Sequence, residues 1–147
     1  MAALNKQVLL ASRPRGAVTE ENFRIVEAPL AKPAAGEVLV KNEWLSLDPY
    51  MRGRMNDVKS YVPPAQLGEV MVGQTVGEVI ESRDPRLKAG DVVLTQLGWQ
   101  LYGVAKGDEL TPIDVKRAPA SCYLGVLGMP GITAWFGLFE KIGRAHV

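Results

Sequence analysis

The run Glu37-Val38-Leu39-Val40-Lys41-Asn42-Glu43-Trp44 alternates as a half-buried strand does, and four residues later the pattern is broken by Asp48-Pro49. Proline has no backbone N–H, fixes its own φ and pushes the preceding residue toward an extended conformation. The strand therefore has to end in a rigid elbow. An elbow at a strand end presents its side chains to solvent or to a ligand. The next six residues, Tyr50-Met51-Arg52-Gly53-Arg54-Met55, bring a phenol, two guanidiniums and two thioethers. Composition alone makes Met51 and Met55 core plugs and Arg52 and Arg54 solvated surface. Asp48 and Arg52 are placed to pair and hold the elbow.

The rest of the chain reads as many short strands separated by turn signals. Gln7-Val8-Leu9-Leu10-Ala11 is a first strand, closed by a turn at Arg13-Pro14-Arg15-Gly16. Asn22 to Glu27 alternates, with Phe23 and Ile25 on one side, and a turn ending at Gly36 calls for a positive φ. Asn56 to Leu67, with Tyr61-Val62-Pro63-Pro64, lacks periodicity and reads as a long surface excursion of the kind that often forms lids or ligand loops. Strand character returns in Val76–Glu81, Val92–Leu97, Trp99–Ala105 and, briefly, Leu110–Val115, with a turn over Asp84–Asp91. Trp99 and Tyr102 are expected as barrel aromatics. After Val115 the texture turns helical: Pro119 suits the first turn of a short helix through Leu124, and a second helix starts after Pro130-Gly131. This spacing of strands and turns predicts a mainly β fold, a closed sandwich or barrel with short C-terminal helices.

Composition excludes several classes. Lys plus Arg exceed Asp plus Glu by one, so no basic footprint for nucleic acid or an anionic membrane is present. No apolar run approaches the length of a membrane span, and Val8-Leu9-Leu10-Ala11 is too short for a signal peptide. The lone cysteine, Cys122, rules out an internal disulfide framework and fits a reducing, cytoplasmic location. Tetrahedral zinc needs three or four Cys or His ligands, and one Cys with one His cannot supply them, so no metal site is expected. Cys122 reads as a small buried hydrophobe because no base is at hand to activate it. Gly125-Val126-Leu127-Gly128 lacks a preceding strand and a third glycine, and so is not a phosphate cradle.

Three stretches then agree in order and spacing. Ser46 to Met55, Leu67-Gly68-Glu69-Val70-Met71-Val72-Gly73 with Val76-Gly77, and Tyr123 to Ala134 together closely resemble the signature of zinc-independent medium-chain dehydrogenase/reductase proteins. The resemblance is to the branch of leukotriene B4 dehydrogenase, prostaglandin reductase and alkenal double-bond reductases. It implies a GroES-like β-barrel over residues 1–128, the catalytic domain of such enzymes, and a helix over 129–141 leading toward a Rossmann domain that these residues do not contain.

The chemistry implied is hydride transfer from NADPH to the C=C bond of an α,β-unsaturated ketone or aldehyde. In that chemistry the protein supplies orientation and electrostatics. By resemblance, Tyr50 is the catalytic candidate of this stretch and lines both substrate and nicotinamide. Met129 packs against the nicotinamide, and Thr133 faces its carboxamide. Gln74 belongs to the substrate pocket, where some double-bond reductases carry a tyrosine. The plain alternatives are a Tyr50 that only anchors the elbow, a Thr133 that satisfies backbone at a helix start, and a Met129 that fills core. The tyrosine thought to stabilise the enolate and the residues that read the NADP phosphate belong to the domain outside this stretch. The fragment alone is therefore expected to be inactive, and the parent to be a homodimer acting on small enones. A quinone or ketone reductase of the same fold, or a non-catalytic β-barrel assembly module, are the alternatives. Ile142–Val147 can be encoded by the start of a common sequencing-library adaptor, so residues 142–147 are expected to be a non-native tail and His146 no catalytic candidate.

Overall fold

The computed structural model describes residues 4–60 and 62–142. The expected tail lies outside the described residues except for the backbone of Ile142. Among the described residues seven strands carry the fold: β1 (Leu4–Leu10), β2 (Phe23–Pro29), β3 (Glu37–Leu45), β4 (Thr75–Ser82), β5 (Val92–Thr95), β6 (Tyr102–Lys106) and β7 (Thr111–Pro112). Two helices join them, α1 (Tyr50–Arg54) and α2 (Met129–Trp135). A 3₁₀ helix spans Ala120–Leu124, and π-type turns over Phe136–Ile142 continue α2.

All strand pairs are antiparallel. One sheet runs β6-β3-β4-β5-β7, and β1 and β2 form a second. The first strand ties the two together, because Val8 donates to the Trp99 carbonyl at 2.8 Å and Met71 to the Val8 carbonyl at 2.9 Å. A sheet whose edges are tied off in this way leaves few unpaired backbone groups, which is what a barrel achieves. Gly36 takes φ 79°, as its turn requires, and its N–H reaches the Arg83 carbonyl.

Two apolar clusters make up the core among the described residues. One is Val38, Val40, Val79, Leu87, Val93 and Leu110, on β3, β4, β5 and their turns. The other is Leu10, Met51, Met55, Ala65 and Met71, under the elbow. Met51 and Met55 are thus core residues, as composition indicated. Ile25 shares a side with Phe23 but stands in solvent, 72% exposed, because β2 outruns the core that covers Phe23. Cys122 is half-buried on the 3₁₀ helix rather than fully enclosed.

The strand that delivers the elbow changes character along its length. Val38, Leu39 and Val40 are all buried, whereas Trp44 and Leu45 are exposed. Its pairing with β4 shifts between Leu39 and Val40 and again between Asn42 and Trp44. Such bulges bend a strand and re-aim the chain beyond them. β3 therefore leaves the core and carries the chain outward to Asp48-Pro49.

Candidate functional site

Ser46 is the hinge of the elbow. Its N–H donates to the Gln74 carbonyl at 2.9 Å, so the end of β3 is tied to the approach to β4. Pro49 then starts a helix where its missing donor costs nothing. Met51 and Arg52 donate to the carbonyls of Asp48 and Pro49, both at 3.1 Å. One turn is enough to alternate the side chains. Met51 and Met55 drop into the core, while Tyr50, Arg52 and Arg54 stay half-buried at its margin.

Tyr50 packs against the methionine cluster and opens on a pocket of about 280 Å³. The opposite wall of the pocket is the surface excursion after the elbow, including Asn56, Lys59 and Ser60. The excursion thus stands where a ligand loop would. Arg54 also lines the pocket, and its Nε donates to the Pro63 carbonyl at 3.1 Å, pinning the loop's far side.

Arginines do similar work all round the elbow. Arg13 donates to the carbonyls of Met55 at 2.8 Å and Ala65 at 3.2 Å. Arg52 donates to the Gly16 carbonyl at 2.7 Å and to Asn56 Oδ1 at 2.7 Å. The expected Asp48–Arg52 ion pair is not formed: the Arg52 guanidinium turns to the 14–16 turn and Asn56, where three acceptors meet it. Charged donors on neutral carbonyls hold loops firmly while leaving no net charge cancelled.

The four residues named from sequence fall into two groups. Tyr50 heads α1 and Gln74 sits at the other side of the elbow, half-buried and joined to Ser46 through backbone. Met129 and Thr133 lie exposed on α2, at its start and middle. The cavity beside Tyr50 takes in neither Met129 nor Thr133, and the cavity along α2, lined by Ile132 and Trp135, takes in neither Tyr50 nor Gln74. Whereas the preceding 3₁₀ helix rests on β3 and β4, α2 meets mainly the helical turns that continue it. Its exposed side chains include Ile132 and Trp135, and Trp135 lies against Phe139 of those turns at 4.3 Å.

These residues fit a nicotinamide in part. Thr133 offers a hydroxyl to an amide and Met129 an apolar thioether to a ring, but among the described residues no strand, glycine-rich turn and helix succeed one another to cradle phosphates. Nor could any group of three or more His, Cys, Asp or Glu among them hold a metal ion.

Sequence reasoning missed Arg54 and Lys59 as pocket residues and treated Arg54 as surface. The available signal was the run of cations that follows Tyr50: Arg52, Arg54 and Lys59. Trp99, expected in the barrel wall, stacks on Phe23 with ring centroids 5.2 Å apart.

The chain matches the model of the family described as the N-terminal domain of oxidoreductase over residues 6–113. It is 51% identical over 136 residues to the NADPH-dependent curcumin reductase of Escherichia coli, covering 92% of this chain and 39% of that protein. It is 40% identical over 141 residues to the NADP(+)-dependent 2-alkenal reductase of Nicotiana tabacum, covering 92% and 41%. The crystal structure of CurA in complex with NADPH from Vibrio vulnificus superposes with a TM-score of 0.86 at 46% identity, over 92% of this chain and 40% of that one. The chain therefore spans about two fifths of the length of these relatives.

Proposed function

This chain belongs to the family of oxidoreductase N-terminal domains, in the zinc-independent medium-chain dehydrogenase/reductase branch, with a GroES-like fold, and from that premise we propose that its protein reduces the C=C bond of α,β-unsaturated ketones and aldehydes with NADPH. In the proposed division of labour, residues 1–128 form the catalytic barrel and 129–141 the helix leading to a nucleotide-binding domain. The bound cofactor supplies the hydride.

This stretch supplies the substrate's surroundings. Tyr50, at the head of α1, borders the pocket in which the enone lies, and its phenol orients the substrate oxygen. The flexible methionine cluster that Tyr50 packs on lets the ring shift as the pocket fills. Gln74, tied to Ser46 across the elbow, reaches the substrate from outside this cavity, while Met129 and Thr133 meet the nicotinamide ring and its amide. The observation that carries the reading is the placement of Tyr50 by the Pro49 elbow at the mouth of a pocket, within a chain half identical to an NADPH-dependent curcumin reductase.

Loss of NADPH absorbance with an alkenal, an open-chain enone and a quinone tests it. The complete protein consumes NADPH with the first two, the saturated carbonyl being the product, and the 147-residue chain alone does not. Reduction of the quinone only, or of the carbonyl rather than the double bond, moves the hydride target and ends this reading. Tyr50→Phe lowers kcat/KM by roughly tenfold or more if the phenol donates to the substrate oxygen, a loss of about 1.4 kcal/mol or more in transition-state binding.

A further inference from the structure

We propose that Asn56, its amide turned by Arg52, is a specificity-determining residue of the pocket beside Tyr50 and donates to an uncharged oxygen that the substrate carries away from its enone. The proposal rests on the reductase reading and deepens it at the same site. Arg52 Nη1 donates to Asn56 Oδ1 at 2.7 Å. A guanidinium has donors and no acceptor, so the amide can show it only oxygen, and the two ends of the amide are thereby told apart. Asn56 lines the pocket, whereas Arg52 does not and faces the neighbouring hollow by Asp48 and Trp99. The amide oxygen is therefore spent on a group outside the pocket. The NH2 is left for the pocket, with no acceptor among the described residues. Elsewhere among those residues the hydrogen-bonded amides do the reverse. Asn5, Gln7, Asn22, Asn42, Gln66 and Gln100 each spend their NH2 on an oxygen of the protein.

The donor is held in place before any ligand arrives. The Asn56 backbone N–H donates to the Gly53 carbonyl at 3.1 Å and so fixes the residue to the end of α1. The guanidinium that turns the amide is itself anchored, with Nη2 on the Gly16 carbonyl at 2.7 Å and Nε on the same oxygen at 3.2 Å. Rotating the amide would set its NH2 against those cationic donors and lose a charge-assisted bond. A donor that needs no reordering gives up less of its binding energy when it meets an acceptor. Tyr50 borders the same cavity of about 280 Å³, so the enone and the second oxygen belong to one small molecule. Val58, Val62 and Pro64 supply apolar wall for the carbons between them.

Matched substrates test the assignment. On the complete protein, KM is measured for enones that differ only at the far end, which is a methoxy, an ethyl or a hydroxymethyl group, together with KM for NADPH. The proteins are wild type, Asn56→Leu, Asn56→Asp and Arg52→Met. Damage to the fold moves the KM values together, so their ratios are the readout. Asn56→Leu is expected to shift the methoxy-to-ethyl ratio by roughly fivefold toward ethyl, the size of one neutral hydrogen bond. Asn56→Asp shifts that ratio the same way but spares the hydroxymethyl enone, because a carboxylate accepts from a hydroxyl to which the amide donates. Arg52→Met frees the amide to turn and gives a smaller shift in the same direction. Ratios that are the same in wild type and the Asn56 variants overturn the proposal. So does a rise in KM for NADPH on Asn56→Leu with the ratios intact, since the amide would then serve the cofactor. If no enone consumes NADPH, the reductase reading fails by itself, and calorimetric binding of the saturated methoxy and ethyl ketones to wild type and Asn56→Leu decides the pocket. A shifted ratio of the two affinities upholds the donor site, and an unchanged ratio, or binding of neither ketone, overturns it.

Discussion

The two apolar clusters are built from different side chains, and the difference tracks what each has to hold. At the start of β3 the core is Val38, Val40, Val79 and Val93 with Leu87 and Leu110, mostly β-branched residues with few rotamers locked into paired strands. Under the end of β3 the core is Leu10, Ala65 and three methionines, flexible side chains packed beneath loops that arginines stitch to backbone carbonyls. A valine core in a hydrogen-bonded ladder specifies one geometry. A methionine core below an elbow can adjust when the pocket above it fills. One short barrel thus carries a stiff half and a compliant half on a single strand.

The largest test of that contrast is a methyl group on the stiff side. At Gly77, on β4, an added Cβ would press on the Lys41 carbonyl and come within 2.8 Å of Val40 Cγ1, with a backbone neighbour that cannot rotate away. Gly77→Ala is expected to cost about 3 kcal/mol or more. It should abolish a cooperative urea transition at room temperature. Next in size comes a pair of leucine substitutions. Val40→Leu overfills a fully buried site and should cost about 1–3 kcal/mol, while Met51→Leu conserves volume and should cost less than about 1.5 kcal/mol. Equal losses from the two in urea unfolding would show that the halves are equally rigid and remove the contrast. Smaller again is Arg52→Ala, which releases the 14–16 turn without touching either core. It should cost about 1 kcal/mol and act locally, seen as faster proteolysis near Gly16 with the midpoint of global unfolding little moved.

The stiff half was the legible one. Strand character in β3, β4 and β5 and the positive φ of the Gly36 turn arise from local composition and backbone restrictions, which one sequence displays directly. Burial itself does not alternate in β3, where Val38, Leu39 and Val40 are buried in succession, and β5 is buried only at every second residue. Pro49 announced the elbow for the same reason, since its effect reaches no further than its neighbours. The compliant half depends on contacts between residues distant in sequence, such as Arg13 with Ala65 and Arg52 with Gly16, which no local pattern encodes. Asp48 and Arg52 looked like a pair because they stand one helical turn apart. Carbonyls from a turn more than thirty residues away bind the guanidinium instead. Tyr50, Gln74, Met129 and Thr133 came from resemblance, and the elbow gives a physical setting to the first two only.

The finest test concerns the ion pair of Asp84 with Arg86, which belongs to the stiff half. Asp84 sits in the turn between β4 and β5, beside the start of β3 and against Gly107 at the end of β6. Arg86 donates to it from both side chain and backbone, with Nη2 on Oδ2 at 2.7 Å and the amide N on Oδ1 at 2.8 Å. The side-chain hydrogen bond, then the backbone one, hold the carboxyl at about 2, below its ordinary 3.8. A carboxyl lowered by folding stabilises the folded state wherever it is ionised. That contribution is complete above the unfolded pKa near 4 and is lost as pH falls through about 2. The Arg86 side chain is 58% exposed, so solvent screens the pair and the effect is small. Between about pH 4 and pH 2 the wild type should lose stability more steeply than Asp84→Asn, with the difference in slope vanishing above about pH 5. Because the elbow is held chiefly by arginines on carbonyls, acid should speed amide exchange at Leu87 and Asp91 before it does at Met55. Loosening in the reverse order would place the weak joint of the barrel at its methionine end even in acid, where no arginine–carbonyl bond titrates, and the compliance of that half would then owe nothing to how its loops are stitched.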